Sequence, residues 1–117
     1  MALLPGKSYR GPLPPLSADQ IRRRDILRRE VEDLATGIGE RHTGRPGSLE
    51  RAADYLDERL RAVGWSPRRW CFETAGRTCC NLVVDSEATG PPLVVGAHYD
   101  TVPGSPGAND NATGIAV

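Results

Sequence analysis

At 117 residues the chain makes one domain at most, long enough to bury a modest core. Hydrophobic residues make up 38% and aromatic residues 5%, and fifteen basic residues balance fifteen acidic ones. That balance leaves no electrostatic case for nucleic acid or an anionic membrane, and no stretch approaches the roughly 18 apolar residues of a membrane span. The N-terminus has no basic stretch leading into an apolar run, so no signal peptide is expected.

Residues 1–16 hold Pro5, Pro12, Pro14 and Pro15 with Gly6 and Gly11, and read as an extended Pro-rich arm. A helix is expected from Ser17 to about Ile38. Ser17 and Gln20 fit a capping box, and Leu27, Val31, Leu34 and Ile38 recur on one helical face. The arginines from Arg22 to Arg29 alternate with Asp25, Glu30, Glu32 and Asp33, which makes a solvated, salt-bridged face rather than a nucleic-acid patch. Gly37 and Gly39 end this helix. The Gly- and Pro-rich stretch from Glu40 to Gly47 is a loop. His42 within it has no Cys, Asp or second His at metal spacing nearby, so a structural role is expected.

A second helix runs from Ser48, its expected cap, to Val63. Leu49, Ala52, Ala53, Leu56, Leu60 and Val63 line one side, and Gly64 stops it. Asp57 and Arg61 are spaced to pair. Arg69–Thr74 and Cys79–Asp85 read as a hairpin turning at Ala75-Gly76-Arg77, with Trp70 and Phe72 on one face. Ser86–Pro92 is a turn, and the continuously apolar Leu93–Ala97 suits a central strand covered on both faces. Helix, helix and three strands, then a helix start, point to a layered α/β domain. The three cysteines (Cys71, Cys79 and Cys80) are expected as reduced thiols packed as small hydrophobes, and this favours a cytoplasmic location.

The chemistry concentrates after Leu93. On a strand, His98 and Asp100 leave by the same face. A metal-bound histidine needs its second ring nitrogen held, and a neighbouring carboxylate is the usual holder. Asp110 follows 12 residues after His98, across a loop of prolines and glycines that can fold back. A carboxylate bridging two metals about 3.5–4 Å apart would build a two-metal hydrolytic centre. Asn111 and Thr113 are candidate caps for the next helix.

Gly96-Ala97-His98-Tyr99-Asp100, followed by Pro103 to Gly114, resembles the zinc aminopeptidases of the bacterial leucyl aminopeptidase and aminopeptidase Y type. The segment Arg41-His42-x-Gly44-x-Pro46-Gly47 with its following helix, and Asn81-Leu82-Val83, are similar too. The resemblance covers about residues 20–117. It implies a mixed-sheet α/β fold of three layers, with a pair of zinc ions at the carboxyl ends of its strands. It further implies that His98 and Asp110 bind metal, Asp110 bridging both ions. Asp100 would orient His98, and the Asp110–Asn111 peptide would be cis. Residues 17–117 would be the N-terminal part of a zinc-peptidase catalytic domain, truncated. The substrate would be a peptide, cleaved by water activated on the metal, with no nucleic-acid or membrane partner.

The family's general base and remaining ligands have no counterpart here. No glutamate follows Glu87, and His42 is the only other histidine. Zinc catalysis needs about three protein ligands and an open position, so the chain alone is expected to be inactive and to bind zinc weakly. Two alternatives stand beside the aminopeptidase reading. One is a di-zinc amidohydrolase of the carboxypeptidase-G and desuccinylase type, whose bridging aspartate lies much further along than the interval here. The other is a non-catalytic remnant or binding module. Side-chain specificity, amino- versus carboxypeptidase or cyclase activity, the identity of the metal and the oligomeric state stay open.

Overall fold

Ser17 caps the first helix. In the computed structural model, which describes residues 10–86 and 89–117, its hydroxyl accepts from the Gln20 amide at 3.3 Å. The Gln20 side chain accepts from the Ser17 amide at 2.9 Å, completing the expected capping box. Residues 10–16 of the arm are exposed and without regular structure. The first nine residues of the expected arm, and Glu87 and Ala88 of the expected turn, lie outside the described residues.

Helix α1 spans Ala18–Glu32 and buries none of its residues. Its arginines pair with neighbouring acids, Arg24 with Asp25 at 2.7 Å and Arg28 with Glu32 at 3.1 Å, as the alternating charges imply. Burial starts only where the helix widens into a π-helical turn over Asp33–Ile38. Leu34 is 1% exposed there, and Gly39, at φ 80°, closes the turn in a conformation that favours glycine.

Helix α2 spans Ser48–Ala62. Gly47, at φ 75°, occupies the cap position expected of Ser48. Ser48 is instead the first helical residue, and its buried hydroxyl donates to the Arg45 carbonyl at 2.8 Å. The loop before it is tight enough to use the serine as an internal tie rather than a cap. Ala52, Ala53 and Leu56 are buried as the apolar periodicity requires, whereas Val63 is 69% exposed at the frayed end before Gly64. Arg61 and Asp57 pair at 2.5 Å. The Tyr55 hydroxyl donates to Glu30 and, at 3.2 Å, to Asp33, tying α2 to α1. Burial and these two carboxylates raise the Tyr55 hydroxyl above the usual phenol range.

Strands β1 (Arg68–Thr74) and β2 (Arg77–Val83) form an antiparallel hairpin, with Thr74 opposite Arg77. Ala75 and Gly76 both have positive φ, 49° and 70°, the pattern of a two-residue hairpin turn. Arg69 fastens the hairpin to α2 through Asp54 at 2.7 Å. Leu34, Leu56 and Ala112 form the core where the turn after α1, helix α2 and the C-terminal segment meet. Val31, Ile38, Tyr55, Leu82, Tyr99 and Ile115 pack around it.

Two expectations are corrected. Cys71 and Cys80 are not reduced thiols: they occupy directly opposed positions of the hairpin and form a disulfide, leaving Cys79 free. The inference to a reducing compartment loses its basis. Leu93–Ala97 forms no strand, and Leu93, Val94 and Val95 are 87–89% exposed. An apolar run becomes a central strand only with strands on both sides, and the sheet of the described residues has two strands, β1 and β2. Helices with this antiparallel sheet make the chain α/β. No helix among the described residues is long and apolar enough to cross a membrane.

Candidate metal centre

Although residues 98–101 sit in no sheet, their side chains alternate. His98 and Asp100 are exposed, while Tyr99 and Thr101 point into the body. The Tyr99 hydroxyl donates to the Cys80 carbonyl at 2.5 Å. Thr101 is 7% exposed, and its amide donates to the Arg41 carbonyl at 2.7 Å. These inward anchors aim His98 and Asp100 at the same side. His98 Nδ1 lies 3.1 Å from Asp100 Oδ1 and 3.2 Å from the Asp100 carbonyl.

The following loop brings Asp110 back to them. Glu40 accepts from the Gly104 amide at 2.8 Å, and the Gly107 amide donates to the Ser105 hydroxyl at 3.2 Å. Gly107 lies at φ 63°, and a Cβ there would stand 2.8 Å from both Arg41 Nη2 and the Asp110 carbonyl, so only glycine fits. A kinked segment over Ala108–Ala112 then carries Asp110, where the backbone of Asp110 and Asn111 leaves helical geometry and the peptide between them is cis. Helix α3 (Thr113–Ala116) follows, with Asn111 Oδ1 accepting from the Gly114 amide at 2.9 Å. Thr113 does not cap this helix through its hydroxyl, which donates back to the Asn109 carbonyl at 3.0 Å.

Asp110 Oδ1 thereby reaches 2.9 Å from His98 Nε2. One imidazole sits between two carboxylates, Asp100 on one ring nitrogen and Asp110 on the other. All three side chains are solvent-facing, from half to about three-quarters exposed. Partial burial lowers the pKa of His98. The Asp100 carbonyl and the two carboxylates outweigh that, and the imidazolium is favoured overall.

The site is braced from beneath by Arg41, whose part sequence reasoning missed. It is wholly buried. Its Nε donates to the Tyr99 carbonyl at 2.7 Å. Nη1 serves the carbonyls of Leu34 (2.8 Å), Gly39 (2.7 Å) and Pro106 (2.9 Å), and Nη2 serves Gly107 at 3.2 Å. Burial lowers its pKa, and nearby Asp100 opposes that shift. No local pattern marks Arg41, because three of its acceptors lie 58–66 residues downstream. His42 takes a structural place: its Nε2 lies 3.0 Å from Glu40 Oε2, and its amide donates to Ser48.

An imidazole nitrogen and carboxylate oxygens suit zinc, and a carboxylate on the far ring nitrogen is the usual group that orients a metal-bound histidine. In number the donors fall short. Among the described residues no group of three or more histidine, cysteine, aspartate or glutamate side chains is placed to hold a metal ion. The donors present therefore fit a metal as part of a site.

Residues 81–117 match peptidase family M28. The chain is 35% identical over 84 residues to leupeptin-inactivating enzyme 1 of Streptomyces exfoliatus, an alignment covering 70% of this chain and 19% of that protein. It is 30% identical over 99 residues to the uncharacterized protein YfbL of Escherichia coli (strain K12), covering 77% of this chain and 31% of that protein. The aligned region thus spans under a third of either relative's length. No solved structure matches the chain. These matches support the di-zinc aminopeptidase resemblance, and the segment that matches peptidase family M28, residues 81–117, is the one that carries His98, Asp100 and Asp110.

Proposed function

We propose that the chain contributes part of the metal centre of a zinc-dependent, aminopeptidase-like peptidase. The observation that carries this reading is His98 held between Asp100 and Asp110, at 3.1 and 2.9 Å, within the segment that matches the peptidase family. His98 Nε2 and Asp110 are the metal ligands in this reading, Asp110 the bridging one. Asp100 holds Nδ1 and fixes the ring orientation and tautomer. Zinc bound there would polarise a peptide carbonyl and acidify water. The chain's own residues orient the imidazole, present the carboxylate and hold the loop that carries it.

The same reading covers the domain and its layers. Residues 17–117 are part of a catalytic domain whose mixed sheet, in three layers, would cover the exposed Leu93–Val95 run. A general base for peptide hydrolysis has no candidate after Glu87, so the 117 residues alone are not expected to cleave peptides. The amidohydrolase alternative gains nothing from the match of residues 81–117 to peptidase family M28.

A zinc titration by calorimetry tests the ligand assignment. Binding weaker than about micromolar is expected of an incomplete ligand set. It should be lost in both His98→Ala and Asp110→Ala. Heats unchanged in either variant would overturn the assignment.

A further inference from the structure

Arg41 reaches both limbs of the candidate centre with one rigid group. On one limb it binds the carbonyl of Tyr99, the residue between His98 and Asp100. On the other it binds the carbonyls of Pro106 and Gly107, just ahead of Asp110. The remaining acceptors, Leu34 and Gly39, root it in the π-helical turn that follows α1 and its closing glycine. A buried cation is normally neutralised by a carboxylate in contact with it. Each hydrogen bond of this guanidinium instead goes to a main-chain carbonyl. An arginine placed only to balance charge would sit on an acid. Arg41 gathers three chain segments, and two of them carry the side chains that meet at His98 Nε2.

The surroundings are cut to this guanidinium. Gly107 leaves no room for a Cβ beside Nη2, and Thr101 clamps the Arg41 main chain from both sides, at 2.7 and 3.0 Å. The planar fork supplies donors in fixed directions, which an ammonium on a flexible stem does not reproduce.

We propose that Arg41 is the positioning residue of the candidate metal centre: by binding Tyr99 on one limb and Pro106 and Gly107 on the other, its guanidinium sets the separation of His98 Nε2 and Asp110. The proposal rests on the reading of His98 and Asp110 as metal ligands. Arg41 touches neither metal nor substrate in it, and acts through the backbone.

The test compares the 117-residue chain with Arg41→Lys, and with Arg41→Gly in the presence and absence of low-millimolar guanidinium. The first readout needs no metal: the imidazole 15N shifts of His98, which report its hydrogen bonds to Asp100 and Asp110. The second is a Co2+ titration followed on the His98 ring resonances. Arg41→Lys should move the His98 Nε2 shift toward that of a free solvated histidine and weaken cobalt binding about tenfold or more, the usual loss when an outer-shell partner is removed. Guanidinium should restore both readouts in Arg41→Gly.

Wild-type 15N shifts and wild-type cobalt affinity in folded Arg41→Lys would overturn the proposal. If Arg41→Lys does not fold, Arg41→Gly kept in low-millimolar guanidinium carries the same readouts, compared with N,N-dimethylguanidinium, which has fewer N–H donors for the Tyr99, Pro106 and Gly107 carbonyls. The His98 shifts should move toward those of a free histidine when dimethylguanidinium replaces guanidinium, and unchanged shifts and affinity would overturn the proposal. Failure of the metal reading looks different. A cobalt response absent from the wild type, or untouched by His98→Ala and Asp110→Ala, removes the ligand assignment. The metal-free 15N comparison still decides whether Arg41 positions His98 against Asp110.

Discussion

Thr101 and Arg41 are joined by two hydrogen bonds across 60 residues of sequence: the Thr101 amide donates to the Arg41 carbonyl, and the Arg41 amide donates to the Thr101 hydroxyl. Both residues are buried. Thr101→Val keeps the shape but leaves the Arg41 amide without an acceptor, a loss of about 1–3 kcal/mol. Urea unfolding should show that drop in stability, and an unchanged midpoint would mean that the clamp does not hold the loop.

Gly107→Ala should be worse tolerated than an alanine at an open glycine. The added methyl collides with the Thr101 side chain, Arg41 Nη2 and the Asp110 carbonyl, at a positive φ. Gly37 is the control, with nothing within 4 Å of its would-be Cβ. At least about 1 kcal/mol should separate the two variants in unfolding experiments. Equal stabilities would contradict the packing described.

The Cys71–Cys80 disulfide predicts a thiol count. Unfolded under non-reducing conditions, the chain should titrate one thiol, Cys79, and all three cysteines only after reduction. Closing so short a loop is worth about 2–3 kcal/mol in the chain-entropy account, so reduction should lower the unfolding midpoint by a corresponding amount. Three thiols before reduction would remove the disulfide.

Glu40 ties the loop before α2 to the loop before Asp110. The Gly104 amide first, and His42 second, hold its carboxyl below the usual glutamate value of 4.5. A lowered folded pKa contributes stability that is present above the unfolded value and lost as pH falls through the folded one. The Gly104 amide resonance should therefore titrate with a midpoint below 4.5. That transition should vanish in Glu40→Gln. A midpoint at or above the ordinary value would show that the bond does not form.

Leu93, Val94 and Val95 present a contiguous apolar stretch to solvent. Such a stretch associates with other chains. Val94→Lys should reduce self-association in sedimentation while leaving the far-ultraviolet dichroism unchanged. Equal sedimentation would show that the stretch is not the sticky element.

What could be read from the residues alone was local. The Ser17 capping box, the charge-laced face of α1, the buried side of α2 and the Trp70–Phe72 hairpin follow from spacings within a few residues. So does the shared side of His98 and Asp100, because the alternation of an extended chain needs no partner strand. Tertiary structure decided what distance along the chain conceals. Asp110 reaches His98 Nε2 only because a loop pinned at Gly104 and Gly107 folds back. Cys80 pairs with Cys71 rather than staying reduced because the hairpin register sets them face to face. Leu93–Val95 has the composition of a buried strand, yet burial depends on neighbours, and these residues have none to pair with among the described ones. Arg41 is the plainest case. In the sequence it is one of many arginines, and only the convergence of Leu34, Gly39, Tyr99, Pro106 and Gly107 carbonyls on one guanidinium makes it the brace beneath the site.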